Sequence, residues 1–292
     1  MTEILSGNLY VGLSGIKLAS ENLIFSRSIR LETTFAHVMS PITIAFSPPT
    51  ERGYHPPPWK AARGGFGQDI TAQLVIPETA GMNLNARLEI ASTIVFLLRL
   101  WSDPSVTMPA LSNISFSDIA GADDGVAHIV PIEHRPRTFQ LLLSDDSKIT
   151  NSLNWVTEHF ETALTLRAES SEFRLAAYAL GSGQFVENTA LVLISLWGAL
   201  EAIFSPSTSE LRFRVSSLIA AYLYSAGTER LKKQKEIAAL YDKRSAAAHG
   251  KSKHAGDDLL ATFELLRKVL IKIIRDGAVP TKQDLEERLF GG

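Results

Sequence analysis

The sequence predicts an α+β protein in two parts: a mixed, strand-rich domain over residues 1–145 and an all-α bundle over residues 146–292. Three observations predict it. Short runs rich in β-branched and aromatic residues dominate the first part. Apolar residues recur at helical spacing through the second. The composition, 45% apolar and 21% charged over 292 residues, is that of a globular chain able to bury a core in one large domain or two ordinary ones.

In the first part, "NLIFSRSIRLETTFAHV" (22–38), "PITIAF" (41–46), "ITAQLVIP" (70–77) and "GVAHIVPIE" (125–133) read as strands. One helix, "LNARLEIASTIVFLLRLW" (84–101), interrupts them and is halted by "SDPS". Prolines and glycines in "SPPTERGYHPPPWKAARGGFGQ" (47–68) forbid regular structure and predict a long loop, either a surface excursion or a functional one. Its His55 and Trp59 can stack on a base, touch a partner, or simply pack within the loop.

From residue 146 the predicted elements are helices. The first runs from 146 to about 169, and a short one over 170–183 ends at a glycine. "QFVENTALVLISLWGALEAIFSP" (184–206) is apolar nearly all round and belongs at a bundle centre; its most apolar part is "TALVLISLWGALEAIF" (189–204). At 16 residues, with Glu187 beside it and Glu201 within it, it is short for a membrane span. The next helix starts at a Ser207 or Ser209 cap and ends at Gly227; another is capped at Thr228 and stopped by Gly250. A helix from Asp257 to Arg275 carries acids first and a base last, as the helix dipole prefers. "TKQDLEERLF" closes the chain.

Composition excludes some chemistry. There is no cysteine, hence no disulfide, thiolate nucleophile or cysteine zinc site. The amino terminus has no basic region before an apolar run and does not read as a signal peptide. A cytoplasmic protein without a membrane segment is expected. Histidines 37, 128, 134 and 159 show no ligand spacing, so neither a metal nor another cofactor is expected. "ARGGFGQ" lacks the lysine of a phosphate loop, and "GLSGI" is not a nucleophile elbow. Net charge is −2, yet Thr228–Arg275 holds 12 lysines and arginines against 6 acids. That basic stretch is either a solvated helix face or the footprint of an anionic partner.

Within it lies "YDKRSAAAHG" (241–250). Arg244 and His249 are five residues apart, which turns a straight helix by about 140° net, so they do not share a face. Either His249 leaves the helix at Gly250, or a second chain completes the pair. A histidine in a last turn also caps its helix without any further role, and Arg244 can pair with an acid such as Asp242. Glu201, in a nearly all-apolar helix, needs a partner, and Arg244 is a candidate.

The segments "LWGALEAIF", "ELRFRVSSLIAAYL" and "LYDKRSAAAHG", in that order, resemble the HEPN superfamily, most closely its Apea-like branch, over residues about 185–275. The resemblance implies a helical bundle in which Arg244 and His249 form an arginine–x4–histidine site. Tyr241, Gly250 and Glu201 match positions of that branch, and Ser245 stands where a polar residue such as asparagine or aspartate often follows the arginine. It implies a metal-independent endoribonuclease acting as a homodimer, with the two "RSAAAHG" segments facing each other, on an RNA such as tRNA or mRNA. It also implies a place in prokaryotic defence: anti-phage, abortive-infection or toxin-like. The first domain would then hold the nuclease silent or detect a phage-derived or cellular trigger. Lys251, Lys253 and His254 are candidate RNA contacts; His254 can equally be a solvated loop residue. The alternatives are a non-catalytic HEPN module for RNA binding or dimerisation, or an antitoxin partner of a nucleotidyltransferase.

Overall fold

Leu9, Val11 and Leu13 alternate along one short segment, and all three are fully buried. They belong to the strand at the heart of the amino-terminal sheet, β1 (Leu9–Ser14). The computed structural model describes residues 7–18, 22–39, 42–45, 50, 60–63, 67–79, 83–133, 147–204, 211–248 and 256–291. Among these are β2 (Asn22–Ile24), β3 (Arg30–Met39), β4 (Ile42–Ala45), β5 (Lys60–Arg63), β6 (Gly67–Ile76), β7 (Thr107–Ser112) and β8 (Ile129–Pro131). Five of these and β1 form a six-stranded antiparallel sheet in the order β2-β3-β6-β1-β7-β8.

Two sequence expectations change here. The run 22–38 is not one strand. Arg27 and Ser28 take positive φ of 60° and 58°, and the Phe25 N–H donates to the Ile29 carbonyl at 2.8 Å. The chain therefore folds back, and β2 pairs with β3 as a hairpin. The predicted loop 47–68 is also too long. β4 pairs with β5, Ala45 opposite Lys60, and β3 pairs with β6, Met39 opposite Gly67. Both pairings join the same two stretches of chain, so 60–63 and 67–68 are strand. The prolines all lie before Lys60, and once they are passed nothing bars ladder bonds. The tip, residues 51–59 with His55 and Trp59, lies outside the described residues.

Gln73 ties the sheet to the segment after β7. It is only 2% exposed, and its amide is fully employed. Nε2 donates to Glu32 Oε1 at 2.7 Å and Ser115 Oγ at 2.8 Å, while Oε1 accepts from the Phe116 N–H at 2.9 Å. Phe116 then packs with Ile70 and Ala110 on one face of the sheet.

Two compact units emerge: residues 1–87 with 106–134, and residues 88–105 with 135–292. The helix α1 (Leu84–Trp101) thus counts mostly with the helical unit, whereas the sequence grouped it with the strands. Its contacts explain this. Phe96 meets Phe173 edge-on at 5.9 Å. Trp101 stacks on Trp155 at 4.3 Å, and Trp155 on His159 at 4.4 Å. The Arg267 guanidinium caps its last turn by donating to the Leu100 and Trp101 carbonyls.

The other helices are α2 (Ser147–Glu169), α3 (Ser171–Ser182), α4 (Thr189–Phe204), α5 (Leu211–Leu223), α6 (Thr228–Ala248), α7 (Gly256–Asp276) and α8 (Lys282–Phe290). The apolar α4 packs against α3, α5, α6 and α7, as its composition predicts for a central helix. Thr228 is the first residue of α6 rather than its cap; the Leu231 N–H reaches back to the Gly227 carbonyl at 3.2 Å. At α8, Thr281 and Asp284 form a reciprocal capping box. The Ser207 and Ser209 cap candidates lie outside the described residues. Among the described residues no helix is long and apolar enough to cross a membrane.

Gly12 sits where β1 passes under Phe116. A Cβ there would lie 2.8 Å from the Phe116 ring and 3.0 Å from the Ile70 side chain. Phe116 is 1% exposed and has nowhere to retreat. Gly12→Ala is therefore expected to destabilise the sheet unit by about 1–3 kcal/mol in denaturant unfolding; an unchanged midpoint would refute this packing.

Candidate functional site

Residues one turn apart on a helix share a face. On α4 that pair is Trp197 and Glu201; on the facing stretch of α6 it is Tyr241 and Arg244. The four meet. The Tyr241 hydroxyl donates to Glu201 Oε1 at 2.7 Å, and Arg244 Nη2 donates to Glu201 Oε2 at 3.0 Å. The guanidinium also lies 5.5 Å from the centre of the Tyr241 ring. Trp197, fully buried, supports that ring edge-on at 5.1 Å.

Both oxygens of the Glu201 carboxylate thus have a donor, one neutral and one charged. Tyr241 is 7% exposed; the Glu201 and Arg244 side chains are 19% and 25% exposed. The arginine is recessed but reaches solvent. Its Nε is buried and has no acceptor among the described residues.

The neighbours of this pair on α6 turn elsewhere. Asp242 receives a two-pronged bond from Arg212 of α5, at 2.6 and 2.7 Å. Lys243 lies 3.5 Å from Asp258 of α7. Four consecutive side chains, Tyr241 to Arg244, therefore tie α6 to three helices. Ser245 follows, partly buried.

Of the residues singled out from sequence, Glu201, Tyr241 and Arg244 come together. The pairing of Arg244 with Asp242 does not occur, because Asp242 is taken by Arg212 and Arg244 turns to α4. Gly250, His249, Lys251, Lys253 and His254 lie outside the described residues, so the arginine's half of the motif is the half with a geometry. Sequence reasoning missed Trp197, Arg212 and Asp258. Trp197 was legible in principle, one turn before Glu201. Arg212 and Asp258 belong to other helices, and nothing in their local sequence points to α6. No group of three or more His, Asp or Glu side chains able to hold a metal occurs among the described residues.

Compared with known proteins, the chain matches no family model, no curated protein and no solved structure.

Burial foremost, then the bond to Glu201 and its charge, push the Tyr241 hydroxyl up from 10.0 to about 12, with Arg244 opposing. The neutral hydroxyl is the form that donates, so folding raises this pKa. Its contribution to stability is therefore complete below pH 10.0 and is lost as pH rises through about 12. Tyr241→Phe is expected to cost about 1–2 kcal/mol at neutral pH, and to remove one late-titrating phenol from the alkaline absorbance titration. A variant with the wild-type titration curve would show that Tyr241 is not one of the late-titrating phenols.

Proposed function

We propose that the chain is a metal-independent endoribonuclease whose site is built on Arg244 and His249. The observation that supports this reading is the convergence of Glu201, Tyr241 and Arg244. These are three of the four described members of the set that the resemblance to Apea-like HEPN domains picks out, Ser245 following them on α6, and they come from two helices 40 residues apart in sequence. Glu201 holds Nη2, the Tyr241 ring lies against the guanidinium and Nε is buried, so the Nη1 side of the planar fork is what would face phosphate oxygens. By the same resemblance the protein acts as a homodimer in the cytoplasm, in prokaryotic defence.

The chemistry follows from what RNA supplies. The 2′-oxygen attacks the adjacent phosphorus and the bond from phosphorus to the 5′-oxygen breaks. One proton leaves the 2′-hydroxyl and one is delivered to the departing 5′-oxygen. A histidine titrates in the right range to move such a proton, which assigns that role to His249. Negative charge grows on the phosphate oxygens, and Arg244 offsets it. Lys251, Lys253 and His254 would hold the backbone.

A second reading has its own observation. Arg244 already has a carboxylate partner, three-quarters buried with it. An arginine so engaged also suits a structural role, in a HEPN module that binds RNA or dimerises without cutting.

Purified protein incubated with RNA in EDTA separates the two. The nuclease reading expects fragments ending in a 2′,3′-cyclic phosphate and a 5′-hydroxyl, with no cleavage of DNA or of 2′-O-methyl RNA. His249→Ala is expected to lower the rate by about 10²- to 10⁴-fold at unchanged melting temperature, and Arg244→Ala to lower it too. Products with 5′-phosphate ends that need added magnesium would overturn the mechanism. RNA binding without cleavage by wild type and variants alike would favour the second reading.

A further inference from the structure

Side chains two residues apart on a strand share a face of the sheet. On β3 that places His37 beside Met39, and the register sets Asp69 of β6 opposite His37 and Gly67 opposite Met39. The alternate residues, Ala36 and Val38, pack against the cluster around Phe116. The face that carries His37 and Met39 is the open one. The His37 and Asp69 side chains are 52% and 58% exposed, and Met39 is 61% exposed.

Asp69 settles what the imidazole can do. Its Oδ1 lies 2.7 Å from His37 Nδ1. A carboxylate only accepts, so Nδ1 carries the proton and Nε2 keeps a lone pair. Between groups this exposed such a pair adds little to stability; its effect is to fix one tautomer and the plane of one ring. Nε2 then looks over Gly67. A Cβ there would lie 3.5 Å from Nε2 and 3.9 Å from Met39 Cγ. The ring nitrogen and the thioether chain therefore border one gap, which the glycine leaves open.

A histidine that binds a metal through one nitrogen commonly donates from the other to a carboxylate. The group beside Nε2 says which metal. Imidazole suits several ions, whereas a thioether is soft; together they favour copper(I) over zinc, magnesium or calcium. Met39 is unbranched and turns freely, so its sulfur can meet an ion held at Nε2. The chain has no cysteine to compete for it. Spacing among histidines could not reveal this arrangement. One ligand is a methionine, and the acid that orients the ring lies 32 residues away on another strand.

We propose that His37 Nε2 and Met39 Sδ form a surface site for a soft monovalent cation, copper(I), with Asp69 orienting the ring. The site lies within the amino-terminal unit and does not rest on the nuclease reading.

The full-length chain with isotope-labelled methionine methyls, titrated with copper(I) under exclusion of air and followed by NMR, tests this. Of the four methionines, Met39 is assigned by the resonance that Met39→Leu removes. Its methyl is expected to shift alone and to saturate at one equivalent of copper(I). His37→Gln is expected to abolish the shift, and Asp69→Asn to weaken binding by about 10- to 100-fold. Zinc at the same concentrations is expected to leave the methyl in place. These side chains are exposed, so loss of folding is no concern. A Met39 methyl that stays in place, that moves equally in His37→Gln, or that moves only together with the other methionines would overturn the proposal. So would zinc acting as copper(I) does, because the thioether would then select nothing.

Discussion

A carboxylate in the middle of an apolar helix must find donors or pay heavily in lost hydration. Glu201 finds two, and both come from α6. That requirement sets how α4 and α6 meet. Tyr241 and Arg244 are one turn apart, so bonding both fixes the rotation of α6 about its axis as well as its height along α4. With the rotation set, Asp242 is presented to Arg212 on α5, and Lys243 to Asp258 on α7. The packing of the central helix and the polar ties of three neighbours thus share one recessed acid as their anchor.

The same arrangement has two consequences for chemistry. An arginine side chain loses rotamer freedom when it binds an anion, and less is lost where it is already held. Glu201 and the Tyr241 ring hold Arg244 in advance, and Trp197 holds the ring. The cost is charge. A guanidinium paired with a carboxylate presents a field nearer to that of a dipole, so a phosphate is attracted less at long range but meets a donor of fixed direction at contact.

Much of the fold was legible because its cause was local. The helices announce themselves by period, by Thr281 and Asp284 at one start, and by the acid-to-base order of α7. Glu201 was legible as a charge out of place. The hidden parts depend on partners distant in sequence. β1 is a six-residue run whose alternation is broken by Gly12; its central place comes from pairing with β6 and β7, not from its own signal. β7, "TMPALS", is buried along its whole length but contains a proline and a serine, and so does not read as a strand. The fold-back at Arg27 has no glycine to mark it. Arg212 and Asp242 are each ordinary on their own helices.

Charge shows the same limit. The 12 cations counted between Thr228 and Arg275 suggest a strong pull on anions, yet many are engaged within the helical unit. Arg230 donates to the Tyr224 and Arg288 carbonyls, Lys233 to Glu236, Arg244 to Glu201, Arg267 to Glu264 and the end of α1, and Lys272 to Asp276. Lys232 and Lys235 are exposed on α6. On the proposed reading the two kinds of cation do different work. Solvated lysines attract a phosphate backbone by charge alone, which is independent of sequence and falls steeply with salt. A recessed, pre-held arginine adds little to that attraction but gives direction to one phosphate. Affinity and placement are then set by different residues of one helix, so salt can weaken the first while leaving the second intact.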